Sequence, residues 1–180
     1  IYIYIMSFFF DLLSDNKYYK IDKKNLKKLK EIKLQYIINN KKYIDFSKIL
    51  KKKNIIIVNV ASKCGFSNQY NELDELQNRF KKNLIVIGIP SDNFLNQEFK
   101  DEKETYNFVK KKYNCKLFLT KKMNVKGKNI SELYKILRDI TNKNISWNFN
   151  KILITKDLKV YKFSAVTKPL SNKILMHIKK

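Results

Sequence analysis

A chain of 180 residues with 44% apolar content is long enough to bury one real core and too short to suggest several domains. Its formal net charge of +23 comes almost wholly from lysines spread along the sequence, with Arg79 and Arg138 the only arginines. No arginine cluster or aromatic-interleaved basic motif marks a specific nucleic-acid reader, and one histidine (His177) with two distant cysteines excludes a metal-ligand spacing or a disulfide framework.

The richness in Lys, Asn, Ile, Tyr and Phe reads as a general compositional bias, of the kind an A/T-rich coding sequence produces. Cysteines without a pairing pattern point to a reducing compartment, so the expected location is cytoplasmic. An organelle (mitochondrion or plastid) is the alternative if residues 1–30 are the remnant of a targeting signal. Residues 1–13 are apolar but interrupted by Ser7 and Asp11. They fall short of the roughly 20 residues of a membrane span and lack the basic flank of a secretory signal. Residues 14–30, rich in lysine, read as a poorly ordered or partly helical extension, leaving 31–180 as the folded domain.

From Ile32 the pattern changes to two short strands, expected to form a hairpin around Asn39-Asn40 because Asn tolerates left-handed geometry. Ile55–Val60 is a short, β-branched apolar run and reads as a buried strand. The loop Ala61–Asn68 follows, then Tyr70, Leu73, Leu76 and Phe80 at helical spacing. Ser67 or Asn68 is the expected N-cap. Cys64 thus lies between the C-terminal end of a strand and the start of a helix, where ligands of α/β sheets collect. Unpaired N–H groups and the helix dipole favour a thiolate there; the competing reading is an inert buried cysteine.

Residues 84–89 form a second buried strand, giving a right-handed βαβ unit that ends at Pro90. A helix over 101–112, short strands within 117–125, a turn at Gly127 and a helix beginning after Ser131 come next. Residues 145–164 form an antiparallel hairpin turning at 156–159, and a last helix follows Pro169. This order is that of an α/β, thioredoxin-like domain: a central mixed β-sheet flanked by helices, with an N-terminal β-hairpin.

Three stretches carry a family resemblance: NVASKCGFSNQY (59–70), WNFNKILI (147–154) and KPLSNKI (168–174). They resemble the cysteine-containing, non-selenium branch of the glutathione peroxidase family, over about residues 30–180. The resemblance implies a thioredoxin-like fold that reduces hydrogen peroxide and organic or lipid hydroperoxides, with glutathione or thioredoxin as reductant and no cofactor or metal. Cys64 matches the peroxidatic cysteine, and Trp147 and Asn148 match the family's Trp-Asn pair. An indole N–H and a carboxamide can donate to sulfur and to the peroxide oxygens as charge moves between them.

Departures from the pattern qualify this. Where the family has Pro-Cys-Asn-Gln-Phe-Gly, this chain has Pro90 to Leu95, so Asn93 stands for the expected Gln. Gln97 matches another family glutamine and is a substitute donor. Leu95 replaces a glycine and Phe99 a proline. Lys110 stands about where thioredoxin-dependent members carry a resolving cysteine, and Cys115 reads as a structural thiol or a displaced resolving partner. The short connection before Trp147 implies a monomer with an open site, and the lysines around it imply peripheral contact with an anionic membrane. Two further readings are a degenerate member that senses oxidant or binds partners with weak turnover, and a basic nucleic-acid or membrane-surface binder.

Overall fold

The computed structural model describes residues 17–178. Its strands are β1 (Tyr18–Lys20), β2 (Lys33–Tyr36), β3 (Asn39–Asp45), β4 (Asn54–Val60), β5 (Leu84–Pro90), β6 (Phe118–Leu119), β7 (Lys151–Ile154) and β8 (Lys159–Phe163). Its helices are α1 (Lys23–Glu31), α2 (Phe46–Ile49), α3 (Gln69–Arg79), α4 (Glu102–Tyr113), α5 (Glu132–Thr141) and α6 (Asn172–Ile178). Six strands form one mixed sheet in the order β1-β8-β7-β4-β5-β6, and β2 and β3 pair as a separate hairpin.

β4 shows why the sheet is central. Every residue from Asn54 to Val60 is buried, and the alternation of side chains sends two sets to opposite faces. Ile56, Val58 and Val60 join a core with Tyr70, Leu73, Leu76, Val109 and Ile174 from α3, α4 and α6. Ile55 and Ile57 join a second core with Leu29, Phe46, Leu133 and Ile136 from α1, α2 and α5. Burying one such aliphatic side chain is worth about 1.5–3 kcal/mol, so a strand covered on both faces anchors both layers. The parallel β4–β5 pair and the antiparallel β4–β7 pair then bring the ends of three strands together at one end of the sheet.

Two expectations need correction. The stretch read as a poorly ordered extension contains, from Tyr18 onward, a strand and a helix. β1 pairs antiparallel with β8, Tyr18 opposite Tyr161, and so covers a strand edge that would otherwise be bare. Asp22 caps α1 by accepting from the Asn25 N–H at 2.7 Å, and Leu29 is completely buried. The helical part of that reading holds for α1; residues 1–16 lie outside the described residues. The hairpin turn also falls at Ile37-Ile38 rather than at Asn39-Asn40. The Ile37 N–H donates to the Leu119 carbonyl at 2.9 Å and its side chain is buried in the first core. A tertiary contact thus outweighs the local turn preference of asparagine.

Candidate active site

The turn after β4 carries Cys64. Its backbone is closed by bonds from Cys64 N–H to the Ala61 carbonyl (3.4 Å) and from Ser67 N–H to the Cys64 carbonyl (3.0 Å). Further turns lead from there into α3. The expected side-chain cap is absent: Asn68 has helical dihedrals and makes no capping bond. The Ser67 hydroxyl instead accepts from the Tyr113 hydroxyl at 2.9 Å. Cys64 is 5% exposed, more enclosed than its loop position suggests, because it shares the first core with Ala61, Tyr70 and Phe149.

Two other segments meet this turn. The Lys63 N–H donates to the Gln97 carbonyl at 2.8 Å, and the Ser62 N–H to a Glu98 carboxylate oxygen at 3.2 Å. Glu98 is buried and also accepts from the Phe99 N–H (2.8 Å) and the Thr105 hydroxyl (3.1 Å). Burial pushes its carboxyl above the ordinary range, and these three donors pull it part of the way back. From the other side, Asn59 of β4 gathers the segment before β7. Its carbonyl accepts from the Phe149 N–H at 2.6 Å and its amide donates to the Trp147 carbonyl at 3.0 Å.

These ties bring together the amides that matter. The Asn148 Nδ2 donates to the Gln97 Oε1 at 3.0 Å. Because Gln97 is the acceptor, its own N–H₂ group stays available to donate. Asn148 is fully buried, and its Oδ1 has no hydrogen-bond partner. Trp147 is half-buried with its ring 5.5 Å from that of Phe94, tilted by 48°. Cys64, Gln97, Trp147 and Asn148 therefore sit on three interlocked segments at one end of the sheet.

Asn93 is not part of that set. Its Oδ1 accepts from the Val125 N–H (2.6 Å) and the Ser91 hydroxyl (3.1 Å), and its Nδ2 donates to the Asn124 Oδ1 (3.2 Å). Its amide pins the 124–125 loop to the end of β5. The turn that lifts Gln97 into place has Leu95 and Asn96 at left-handed dihedrals, φ 55° and 50°. Asparagine adopts that region readily, whereas a left-handed backbone costs a bulky residue roughly 1–2 kcal/mol. Asn59 and Glu98 were not singled out by sequence reasoning. Asn59 lies inside a recognised motif as an ordinary strand residue, and nothing around Glu98 distinguishes it from a surface glutamate.

Cys115 follows α4 just past Asn114, which ends the helix in a left-handed conformation. It is buried, free of any disulfide, and lies in the same core as Cys64. Burial pushes its thiol up to about 12; the Leu117 N–H opposes that rise and the Asp74 carboxylate adds to it. The fold thus favours the protonated thiol. The resulting stabilisation is complete below a cysteine's ordinary value of 9.0 and is lost as pH climbs through about 12. Between neutrality and about pH 10, the wild type should lose about 1.4 kcal/mol more stability than Cys115→Ala. Urea midpoints of both proteins at the two pH values measure this. Equal losses would mean that the thiol ionises freely in the folded state.

Comparison with known proteins decides the family. The sequence pattern described as "Glutathione peroxidase" matches residues 31–138. The glutathione peroxidase-like peroxiredoxin HYR1 of Saccharomyces cerevisiae is 40% identical over 129 residues, covering 68% of this chain and 79% of its relative. The chain belongs to the glutathione peroxidase family. Within it, this peroxidase is of the cysteine type, an oxidoreductase that reduces peroxide at the expense of a thiol. The hydroperoxy fatty acid reductase Gpx2 of Synechocystis is 38% identical over 123 residues, covering 67% of this chain and 79% of the relative. The crystal structure of Trgpx in apo form superposes with a TM-score of 0.62 at 26% identity, over 84% of this chain and 96% of that one. The glutathione peroxidase fold seen here is the thioredoxin-like one. Among the described residues no group of His, Cys, Asp and Glu is arranged to hold a metal, and no helix is long and apolar enough to cross a membrane.

Proposed function

We propose that Cys64 is the sulfur that attacks the hydroperoxide, with Gln97, Asn148 and Trp147 as its donors, and that the cycle uses this one cysteine. The hydrogen bond from Asn148 to Gln97 carries the reading, because Gln97 is also bonded through its carbonyl to the turn that holds Cys64. In the first step the thiolate sulfur bonds to one peroxide oxygen and the O–O bond breaks. The departing oxygen takes a proton and leaves as water or an alcohol, and Cys64 becomes a sulfenic acid. Donors aimed at sulfur and at the leaving oxygen stabilise the charge as it shifts.

A first reductant thiol then attacks the oxidised sulfur, forming a mixed disulfide and releasing water. A second thiol displaces it and restores Cys64, so two thiols end as one disulfide. Resolution by Cys115 is disfavoured: a thiol raised to about 12 supplies almost no thiolate at neutral pH. The reductant is therefore an external thiol, glutathione or a thioredoxin, acting directly on Cys64. Substrates include lipid hydroperoxides, in keeping with the hydroperoxy fatty acid reductase among the relatives. The short link over 142–146 supports a monomer with an open site, and Lys63 and Lys126 near its rim support peripheral contact with anionic membrane. The degenerate reading rests on Asn93, Leu95 and the missing resolving cysteine, and the bond from Asn148 to Gln97 weighs against the first of these.

Steady-state peroxide consumption by Cys115→Ser tests the one-cysteine cycle. It should stay within about twofold of wild type with either reductant. A fall of more than about tenfold would make Cys115 the resolving thiol.

A further inference from the structure

We propose that Leu95 selects hydroperoxides with a long apolar chain by laying its side chain along that chain at the rim of the Cys64 site. The inference rests on the reading of Cys64 as the peroxidatic residue. Leu95 is 73% exposed, the most exposed large apolar side chain among the described residues. An exposed leucine alone is ordinary. This one also holds a left-handed backbone, φ 55°, which a bulky residue adopts only under constraint.

Among the described residues, two other large apolar ones share that conformation, and both recover its cost by burial. Phe149 (φ 62°) is fully buried, and Leu158 (φ 63°) packs against the second core. Leu95 belongs to neither core and stands mostly in solvent. Strained residues cluster at active sites and ligand clamps, and Leu95 lies beside such a site with no core packing of its own.

Its placement names that partner. Leu95 is at the tip of the turn Phe94–Gln97, closed by the Gln97 N–H bond to the Phe94 carbonyl at 3.4 Å. The ring of Phe94 is seated against Trp147, and the Gln97 side chain is bonded to Asn148. The same turn is bonded to the Cys64 segment, the Lys63 N–H donating to the Gln97 carbonyl at 2.8 Å, so a carbon chain that leaves a peroxide on the Gln97 side meets Leu95. The Lys126 Nζ stands 4.1 Å from the Phe94 ring centroid and the Lys63 Nζ 4.3 Å from that of Phe99. Lysines seated on the two aromatic rings that flank Leu95 in the chain suit an acyl chain that ends in a carboxylate.

The test compares linoleic acid hydroperoxide with hydrogen peroxide in wild type, Leu95→Gly and Leu95→Asn. Glycine and asparagine both accept the left-handed backbone, so the turn is preserved. The ratio of kcat/KM for the fatty-acid hydroperoxide over that for hydrogen peroxide should fall about tenfold in both variants, through KM, as expected for a partly buried leucine. Thermal stability should hold or rise, most clearly in Leu95→Gly. An unmoved ratio, a fall carried by kcat, or a change confined to the KM of the reductant would overturn the assignment. Wild-type consumption of hydrogen peroxide no faster than by free cysteine would instead sink the reading of Cys64, leaving the two failures distinguishable.

Discussion

Cys64→Ser should lose peroxide consumption altogether, with the second-order rate toward hydrogen peroxide falling by at least about a thousandfold. A serine hydroxyl carries no anion at neutral pH and forms no sulfenic acid, so both halves of the cycle vanish together. The fold should survive, because the turn from Ala61 to Ser67 is closed by backbone bonds that serine leaves in place. Stopped-flow consumption by the folded variant checks this. Residual turnover within tenfold of wild type would require a second reactive sulfur. The only other thiol is Cys115, held protonated in the core.

The second large effect separates two amides four residues apart. Gln97→Ala should lower the rate of peroxide attack by about a hundredfold or more, the usual loss for one preorganised donor. Asn93→Ala should leave that rate within a few-fold. It should instead destabilise the protein by roughly 1–3 kcal/mol, because the Val125 N–H loses its acceptor in a buried setting. In the double variant Gln97→Ala/Asn148→Ala the losses should fall short of additive, since each amide orients the other. Rates and urea midpoints on wild type, the three single variants (Asn148→Ala included) and the double variant settle the assignment. A rate loss confined to Asn93→Ala would reverse it.

That pair shows where sequence reasoning reached and where it stopped. The position of Cys64 at the end of β4 was legible because a strand end, a loop and a helix start are each encoded locally, and the surrounding motif is long. The gathering of Trp147 and Asn148 at the same end of the sheet was legible from their motif alone. Which of Asn93 and Gln97 meets Asn148 was not, because it depends on how the intervening turn is wound. Leu95 and Asn96 take left-handed dihedrals there, and no propensity assigns that geometry to leucine.

The same limit explains the N-terminal correction. α1 has only Leu26 and Leu29 as apolar anchors in a run of lysines, so its pattern reads as solvated. Its stability comes from the Asp22 cap and from burying Leu29 against distant elements, which the local sequence does not display. Likewise, β1 exists because β8 offers an edge. Glu98 looked like any surface glutamate, yet it is the buried acceptor that ties Ser62, Phe99 and Thr105 together behind the Cys64 turn.

Peptide mass spectrometry after one equivalent of hydrogen peroxide, with reductant withheld and then supplied, tests the one-sulfur cycle most directly. Cys64 should gain a single oxygen while Cys115 stays a thiol, and added glutathione should convert the Cys64 peptide to a mixed disulfide. A Cys64–Cys115 disulfide, or oxygen found first on Cys115, would contradict the account.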